Sequence, residues 1–394
     1  MFADKFNNHR NQFGFVKEGG CNKALFVFNS VVRYFSSKGS NVFCCSLDAT
    51  KAFDRLNHFY ILSCLIERGF PLCIVNVFAS WYRNLNAYVR CDNNVVSTCF
   101  NVLSGTPQGS LLGGKFFNFI IDKLLTQLDD AQIGCHINGL FAGAIAYADD
   151  IMLLSASVVQ MREMLEICYK FGISCDLKFN CAKSFWGLVG KLYRSDVLEF
   201  KIGGNLVPKC DKITYLGIDF TFGSSLGIDC SKRTQKFMAA VSSILLHKVI
   251  GYESLFSTLL ISKCLPILSY GLDCLMLDSK SLNSVSKAWN TAFRWLFGLS
   301  KFVSTRLLFL QCKTMSLKFL LDCRLMCFFK VLFKVLMFWL NVYRYVLCVK
   351  VIVLKLVLSV MNCFIFLIRM LSSVELNLCL MSIVMQSCNI YLII

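Results

Sequence analysis

Proline and histidine are scarce in this chain, which has four of each among 394 residues and charges on only 16% of them. The histidines are His9, His58, His136 and His247, so no zinc site that combines cysteine with histidine can lie in the sequence after them. No Cys-x2-Cys pair and no His-Glu-x-x-His motif occurs. These absences exclude an HExxH metalloprotease and, within these residues, a C-terminal zinc knuckle.

Glycine and proline are absent from residues 299–394, where average usage of about 12% predicts roughly eleven. One interpretation of this apolar stretch is membrane insertion. Lys355 and Arg369 bracket only 13 uncharged residues, however, and a helix that spans a bilayer needs about 20. The other interpretation is a tail that was never selected to fold, such as out-of-frame translation. We favour the second interpretation for residues 335–394 and expect no membrane partner.

Acidic residues are outnumbered, with 24 Asp and Glu against 41 Lys and Arg and a net charge of +17. Of the acids, 18 lie in residues 1–222 and only 6 in residues 223–394. An excess of positive charge favours a polyanionic partner, either nucleic acid or an anionic membrane. The first part therefore offers carboxylates for a cation site, and the second part offers bases for a phosphate backbone.

Cysteine is abundant, with 22 residues. A high cysteine content is also typical of secreted proteins that are held together by disulfides. The N-terminus lacks the apolar stretch of a signal peptide, and the chain is long enough to form a hydrophobic core. We therefore expect reduced, mostly buried thiols in an intracellular protein, nuclear or cytoplasmic, that is not secreted.

Apolar runs and turn signals predict an α+β fold of the split βαβ kind. The strands are expected at 41–47, 87–91, 95–100, 140–147, 151–155, 183–189 and 212–218. The helices are expected at 58–68, 74–85, 115–128 and 157–171, with a mostly helical region at 229–334.

The feature that most strongly indicates a function is the pair Asp149 and Asp150, which lies between two apolar runs and predicts a β-hairpin with two carboxylates at its tip. Adjacent carboxylates beside buried strands are costly unless a cation or solvent meets them. The alternative is a solvated hairpin turn, where aspartate is common.

Asp48 ends another apolar strand, and a neighbouring position in the same sheet would bring it close to Asp149. Two divalent ions about 3.5–4 Å apart activate an attacking oxygen and stabilise a leaving one in phosphoryl transfer. Oxygen ligands alone suit Mg²⁺ or Mn²⁺ better than zinc. The alternative for Asp48 is a helix N-cap after the strand.

Several short motifs over residues 11–330, in a shared order, resemble the reverse-transcriptase domain of a non-LTR (LINE-type) retrotransposon. The motifs of the fingers and palm are Gln12-Phe13-Gly14-Phe15, Asp48-Ala49-Thr50-Lys51-Ala52-Phe53-Asp54, Ser104-Gly105-Thr106-Pro107-Gln108-Gly109-Ser110, Tyr147-Ala148-Asp149-Asp150, Lys183-Ser184 and Tyr215-Leu216-Gly217-Ile218.

The resemblance implies an α+β right-hand polymerase. Its expected parts are a partial fingers region (1–40), a palm with an antiparallel sheet and the remaining fingers elements (41–222), and a helical thumb-like region (223–334). It further implies an RNA-directed DNA polymerase with Mg²⁺ or Mn²⁺ as cofactor. Such an enzyme transfers nucleotidyl groups from deoxynucleoside triphosphates to the 3′-hydroxyl of a DNA primer on an RNA template, and pyrophosphate leaves.

The resemblance also implies residue roles, each with a plainer alternative. Asp48, Asp149 and Asp150 would be catalytic and bind the metals. Phe53 would exclude the 2′-hydroxyl of a ribonucleotide, or it is simply a core residue. The remaining implied contacts are to the incoming nucleotide (Gln108 and Lys183, each of which could instead be a solvated surface residue) and to the template or primer (Gly105, Gly109, Tyr215, Leu216 and Gly217).

Residues 109–115 match the Gly-x4-Gly-Lys phosphate loop of nucleotide hydrolases, but Phe116 follows where Ser or Thr must hold Mg²⁺, so we dismiss that function. Two departures from the reverse-transcriptase pattern qualify the resemblance. Gly113 and Gly114 stand where the family has a Ser-Pro pair and are expected to loosen the helix start by about 1 kcal/mol each. The chain also begins just before the fingers motif, so we expect a truncated element. The alternative function is therefore a catalytically inactive, nucleic-acid-binding remnant.

Overall fold

The computed structural model describes residues 3–90, 96–107, 109–110, 112–190, 198–249 and 251–342, with side chains described only within residues 5–332. The first of two structural units spans Met1–Phe328, and everything below lies in it apart from the end of the last helix. Eleven α-helices lie in these residues: α1 Cys21–Ser37, α2 His58–Glu67, α3 Leu72–Arg83, α4 Gly113–Asp130, α5 Val158–Ser174, α6 Ser231–Leu245, α7 Glu253–Leu259, α8 Leu265–Ser269, α9 Ser279–Leu296, α10 Arg306–Gln311 and α11 Leu317–Val342.

Thirteen strands lie in the same residues and form one four-stranded sheet, one three-stranded sheet and three two-stranded ribbons. The strands are β1 Val42–Asp48, β2 Asn86–Ala87, β3 Phe100–Asn101, β4 His136–Ile137, β5 Leu140–Phe141, β6 Ala144–Tyr147, β7 Asp150–Ser155, β8 Phe185–Val189, β9 Phe200–Ile202, β10 Asn205–Val207, β11 Lys212–Tyr215, β12 Ile218–Thr221 and β13 Gly227–Asp229.

The four-stranded sheet has the order β6-β7-β1-β8, is antiparallel throughout and is buried on both faces. Successive side chains of a strand point to opposite faces, so Cys44 enters one core and Cys45 the other. The first core joins β1 and β7 to α1, β11–β13 and the C-terminal helices, and the second joins them to α2, α4 and α5. Burial on both faces explains why β1 and β7 are continuous apolar runs.

Three helices of the described residues, α2, α5 and α9, start at a residue whose side chain caps them. Asn57 accepts hydrogen bonds from the Phe59 and Tyr60 amides at the start of α2, and Asp278 caps α9 in the same way. Helix α1 begins after Gly20, which provides no side-chain cap. Its buried residues nevertheless recur at helical spacing, at Ala24, Phe28 and Val31.

Most predicted elements occur within a few residues of their expected bounds, and the α+β class is confirmed. The prediction of one strand at 140–147 is wrong, because the chain there forms β5, which pairs with β4, and β6, which pairs with β7. The prediction of one strand at 212–218 is also wrong, because a turn at Leu216 and Gly217 separates β11 from β12. The strands expected at 87–91 and 95–100 shorten to the β2–β3 ribbon and a single bridge between Arg90 and Val96, while 91–95 lie outside the described residues. Helix α1 was not among the predicted elements.

The C-terminal region is helical as predicted, and α11 continues past residue 335 to Val342. The rest of the predicted tail, residues 343–394, lies outside the described residues. Among the residues that are described, no helix combines the length and apolarity that a bilayer crossing needs.

Candidate active site

The end of the β1–β7 ladder brings the predicted carboxylates together. Asp48, the last residue of β1, is the Cα partner of Asp150, the first residue of β7. Facing Cα atoms in an antiparallel pair lie about 4.5–5.5 Å apart. Tyr147 pairs with Asp150 across the β6–β7 hairpin, so Ala148 and Asp149 form its two-residue turn. Asp48 and the adjacent pair Asp149 and Asp150, which are remote from it in sequence, therefore share one edge of the sheet.

The electrostatics of this edge are unfavourable to negative charge. Displacement of water by the surrounding protein raises the pKa of Asp149 from its ordinary value, and the charge of Asp48 raises it further. The pKa of Asp150 is raised to about 6, first by displaced water and then by the charges of Asp149 and Asp48. None of the three carboxylates pairs with a Lys, Arg or His in the described part of the chain. A cation would relieve this repulsion.

The turn before β8 supports Asp48 from the other side. The Asp48 amide donates to Ser184 Oγ at 3.1 Å, and that hydroxyl donates to the Asn180 carbonyl at 2.8 Å. The Asn180 amide in turn donates to the Asp48 carbonyl at 2.8 Å. Ser184 is fully buried, whereas Lys183, predicted to bind the nucleotide, is exposed in the same turn. Sequence reasoning quoted Ser184 within a motif and gave it no role.

Phe53 lies half-buried in the turn that follows β1, in a cluster of three rings. It stacks on Phe117 of α4 with ring centroids 4.8 Å apart and meets the edge of Phe15 at 6.0 Å. Part of Phe53 belongs to the core and part is accessible, so the position is compatible with both predicted roles. Phe15 itself is 55% exposed, which places an aromatic surface beside Phe53.

The predicted template-binding loop, residues 104–110, forms hydrogen bonds with the segment that follows Asp48. The Gly105 amide donates to the Leu56 carbonyl at 2.8 Å, and the Gly105 carbonyl is 2.7 Å from His58 Nε2. A Cβ on Gly105 would lie 2.7 Å from the Asp54 carbonyl oxygen, so the close approach at this glycine is to the chain's own backbone. Gly109 is exposed with open space around its missing Cβ. Gln108 lies outside the described residues.

The predicted primer-binding residues form the tip of the β11–β12 hairpin. Leu216 (φ 46°) and Gly217 (φ 77°) both have positive φ, as a tight two-residue hairpin turn requires. The Gly217 carbonyl accepts from Arg233 Nη2 at 3.2 Å. Tyr215 is buried, and its pKa is raised by burial first and by the charge of Asp150 second. Tyr215 shares the first core with Ile145 of β6 and Met152 of β7, so the hairpin packs on the sheet that carries the acidic edge.

Gln12 is a further residue to which sequence reasoning assigned no role. It is 3% exposed, and its side-chain oxygen accepts hydrogen bonds from the amides of Gly14 and Ala148, at 2.9 and 3.0 Å. Ala148 adjoins Asp149. The available signal was that Gln12 begins a motif that contains Gly14, because nothing in its own spacing indicates contact with a turn 136 residues away.

The fold and its acidic edge define a right-hand polymerase, α+β with an antiparallel central sheet. The chain belongs to the reverse transcriptase (RNA-dependent DNA polymerase) family, whose model matches residues 3–220, more than half of the chain. The resemblance to a retrotransposon reverse-transcriptase domain, inferred from the motifs, is thereby confirmed, together with the fold class. Members of this family depend in general on a divalent metal.

Curated relatives come from retrotransposable elements. The Pol polyprotein of element R2DM from Drosophila melanogaster is 29% identical over 233 residues, which cover 56% of this chain and 22% of the relative. The Pol polyprotein of element R2 from Popillia japonica is 31% identical over 216 residues, covering 52% and 34%. The chain thus spans between about a fifth and a third of the length of these two relatives.

Among solved structures, apo telomerase from Candida tropicalis is similar, with a TM-score of 0.41 and 12% identity over 74% of this chain and 47% of that one. Telomerase from Candida albicans, solved with a fragment of telomeric RNA, has the same TM-score and identity over 77% and 46%.

Proposed function

We propose that this chain is an RNA-directed DNA polymerase of a retrotransposable element, which extends a DNA primer on an RNA template with deoxynucleoside triphosphates. The observation that carries the proposal is the pairing of Asp48 with Asp150, beside Asp149 in the turn. These carboxylates have no basic partner in the described residues, so the site favours the binding of divalent cations. The reaction of the family requires such cations.

Mg²⁺ or Mn²⁺ is the proposed cofactor, with Asp48, Asp149 and Asp150 as its protein ligands. The raised pKa values of Asp149 and Asp150 support this assignment, because a bound cation would remove the repulsion that raises them. In the described part of the chain no group of three or more His, Cys, Asp or Glu residues has metal-site geometry by itself. Mg²⁺ commonly takes one or two carboxylates and completes its shell with waters and substrate phosphates. The full ligand set therefore needs the triphosphate.

When bound, two divalent ions would activate the attacking 3′-oxygen and stabilise the leaving pyrophosphate. The chain's own task is to hold the primer end and the nucleotide in line for this displacement. Asp48 and Asp149 provide the negative charge that gathers the cations, and Ser184 fixes the backbone of Asp48. Lys183 supplies a positive charge for the triphosphate.

The remaining assignments follow the motifs. Phe53 contacts the sugar of the incoming nucleotide and disfavours a 2′-hydroxyl. Gln108 binds the incoming nucleotide at the new base pair with the template. The half-buried position of Phe53 beside Phe15 supports the first assignment. The residues proposed to contact template or primer are Gly105, Gly109, Tyr215, Leu216 and Gly217.

The polymerase regions are proposed with the bounds expected from the sequence: partial fingers at 1–40, palm at 41–222 and thumb-like helices at 223–334. The residues that carry the three carboxylates all fall in the proposed palm. Residues 223–334 contain 15 Lys and Arg against 5 Asp and Glu, and this basic excess supports a role for the thumb-like region in binding the phosphate backbone.

Extension of a labelled DNA primer on an RNA template, with Mg²⁺, tests the function directly. Asp149→Asn should lower the extension rate by at least about a hundredfold, because it removes charge that only the reaction needs. Asp130→Asn is the matched control, since Asp130 is exposed at the end of α4, away from the acidic edge. It should extend as the parent does.

Binding of the same primer–template, measured in parallel by fluorescence anisotropy, separates the two functions. Extension by the parent that is lost in Asp149→Asn, with binding retained, supports the polymerase. Salt-sensitive binding without extension by the parent would support the inactive remnant instead. Equal extension by Asp149→Asn and the parent would overturn the proposed catalytic centre.

A further inference from the structure

A buried amide supports the turn that carries Asp149. Gln12 Oε1 accepts hydrogen bonds from both the Ala148 amide, at 3.0 Å, and the Gly14 amide, at 2.9 Å. Ala148 has a φ of 55°, which non-glycine residues rarely adopt, and is 5% exposed. The Gln12 side chain thus satisfies the backbone amide at the strained position immediately before Asp149.

The backbone around Gln12 runs along the outer edge of the same hairpin. The Phe13 amide donates to the Ala146 carbonyl at 2.8 Å, and the Ala146 amide donates to the Asn11 carbonyl at 2.9 Å. A Cβ on Gly14 would lie 2.5 Å from the Ala148 nitrogen, so only glycine permits this approach. Backbone and side chain therefore hold strand β6 and its turn from one side.

The residues just before Gln12 are themselves fixed to helix α4. The Asn8 side chain and the His9 amide both donate to the Asp122 carboxylate, at 2.9 and 3.0 Å. Arg68 pairs with the same carboxylate at 2.7 Å, and Arg10 pairs with Asp129 at 2.8 Å. The support that reaches the turn through Gln12 therefore rests on a helix of the central fold.

We propose that Gln12 is a positioning residue, whose side-chain oxygen fixes the turn of Ala148 and Asp149 and thereby the carboxylate of Asp149. The proposal rests on the function proposed above. An active-site group displaced by about 1 Å can lose about a hundredfold in rate. Loss of the acceptor should therefore affect turnover far more than primer–template binding.

Two substitutions separate the oxygen acceptor from the bulk of the side chain. Gln12→Met keeps the length and lacks the acceptor, and we expect kcat to fall about 10- to 100-fold with the KM for primer–template unchanged. Gln12→Glu keeps an oxygen at the same reach. Gln12 Nε2 has no hydrogen-bond partner in the described residues, so its replacement by oxygen breaks no bond. A carboxyl buried at this position, beside the acidic edge, should be held in its neutral form, which keeps the acceptor and adds no charge. Gln12→Glu should therefore retain more of the parent kcat than Gln12→Met.

Asn11 provides the matched control. It is a buried amide of the same segment, 8% exposed, but its side chain donates to the Phe141 carbonyl of β5 and leaves the turn alone. Asn11→Leu should lower the melting temperature and leave kcat per folded molecule unchanged. Should Gln12→Met fail to fold, Gln12→Asn, whose amide is too short to reach Ala148, takes its place.

Amide hydrogen exchange gives a readout that needs no activity. In Gln12→Met the peptide that contains Ala148 should exchange faster than in the parent, and in Asn11→Leu it should not. An active parent together with a Gln12→Met variant of parental kcat and parental exchange would overturn the positioning role alone. Absence of extension by the parent, with the exchange difference intact, would instead count against the proposed function.

Discussion

Asp48 faces Asp150 at the last pair of the β1–β7 ladder, and both stand next to the turn residue Asp149. Each of the two hairpin carboxylates has a raised pKa, and the charge of Asp48 contributes to both shifts. The three carboxylates therefore repel one another at this edge of the sheet, and a hydrophobic or neutral residue in place of one of them would reduce that repulsion. Such sites typically exchange stability for function.

Asp150→Asn should raise the melting temperature of the metal-free protein at pH 7.5 while it lowers primer extension. The pKa of Asp150 is raised from 3.8 to about 6 in the folded chain. Because the unfolded chain ionises this group first, the parent loses stability as the pH rises from about 4 to about 6. The stabilisation by asparagine should be fully present above pH 6 and absent below pH 4.

Melting curves in EDTA at pH 4, 5, 6 and 7.5 check this prediction, with Asp130→Asn as the control of unchanged melting temperature. A lower melting temperature for Asp150→Asn at pH 7.5, or a gain that is the same at every pH, would contradict it.

Gly105→Ala should destabilise the fold more than Gly109→Ala. Both glycines have positive φ, 88° and 82°, which costs an alanine about 1–2 kcal/mol. At position 105 the new Cβ would also lie 2.7 Å from the Asp54 carbonyl oxygen, whereas nothing lies within 4 Å at position 109. We expect losses in the free energy of unfolding of roughly 3 kcal/mol and about 1 kcal/mol.

Urea denaturation of the two variants measures the difference. Equal losses would show that the backbone around Gly105 moves away from Asp54 at little cost, and that the bonds between this loop and the segment after Asp48 are weak.

The sequence was sufficient to predict the acidic edge, because β1 and β7 are apolar runs that each border on an aspartate. It was insufficient wherever the cause is a contact between distant segments. Gln12 bonds to a turn 136 residues away, and no periodicity signals this. The turn at Leu216 was missed because leucine rarely takes a positive φ. Helix α1 has a clear apolar spacing but no capping side chain at Gly20 to mark its start.

Gly114 and Phe15 should be energetically coupled. Gly114 was expected to loosen helix α4, but the absence of a Cβ there leaves room for the Phe15 ring. A Cβ built on residue 114 would lie 2.5 Å from Cγ of Phe15. Gly114→Ala alone should therefore displace the ring and gain little stability. In the Phe15→Ala background the same change should stabilise by about 0.5–1 kcal/mol, the usual helix preference for alanine.

A double-mutant cycle in urea measures the coupling. Gly113→Ala is not a suitable control for Gly114→Ala. A Cβ on residue 113 would clash with the side chains of Ser110 and Thr106, which would itself change the stability. Identical effects of Gly114→Ala in both backgrounds would mean that the exposed ring does not need the space.

Asp229→Asn should weaken the fold at neutral pH, and the difference from the parent should shrink in acid. Lys212 donates a hydrogen bond to Asp229, and this contact is the largest cause that lowers the pKa of the carboxyl. The amide of Ser231 donates to it as well, at 2.8 Å. A lowered pKa means that the stabilisation is present above about pH 4 and is lost as the pH falls further.

Urea midpoints at pH 7, 5, 4 and 3 test this, with a substitution of an exposed aspartate, Asp211→Asn, as the control. A difference that widens below pH 4 would show that Asp229 does not stabilise the fold through its charge.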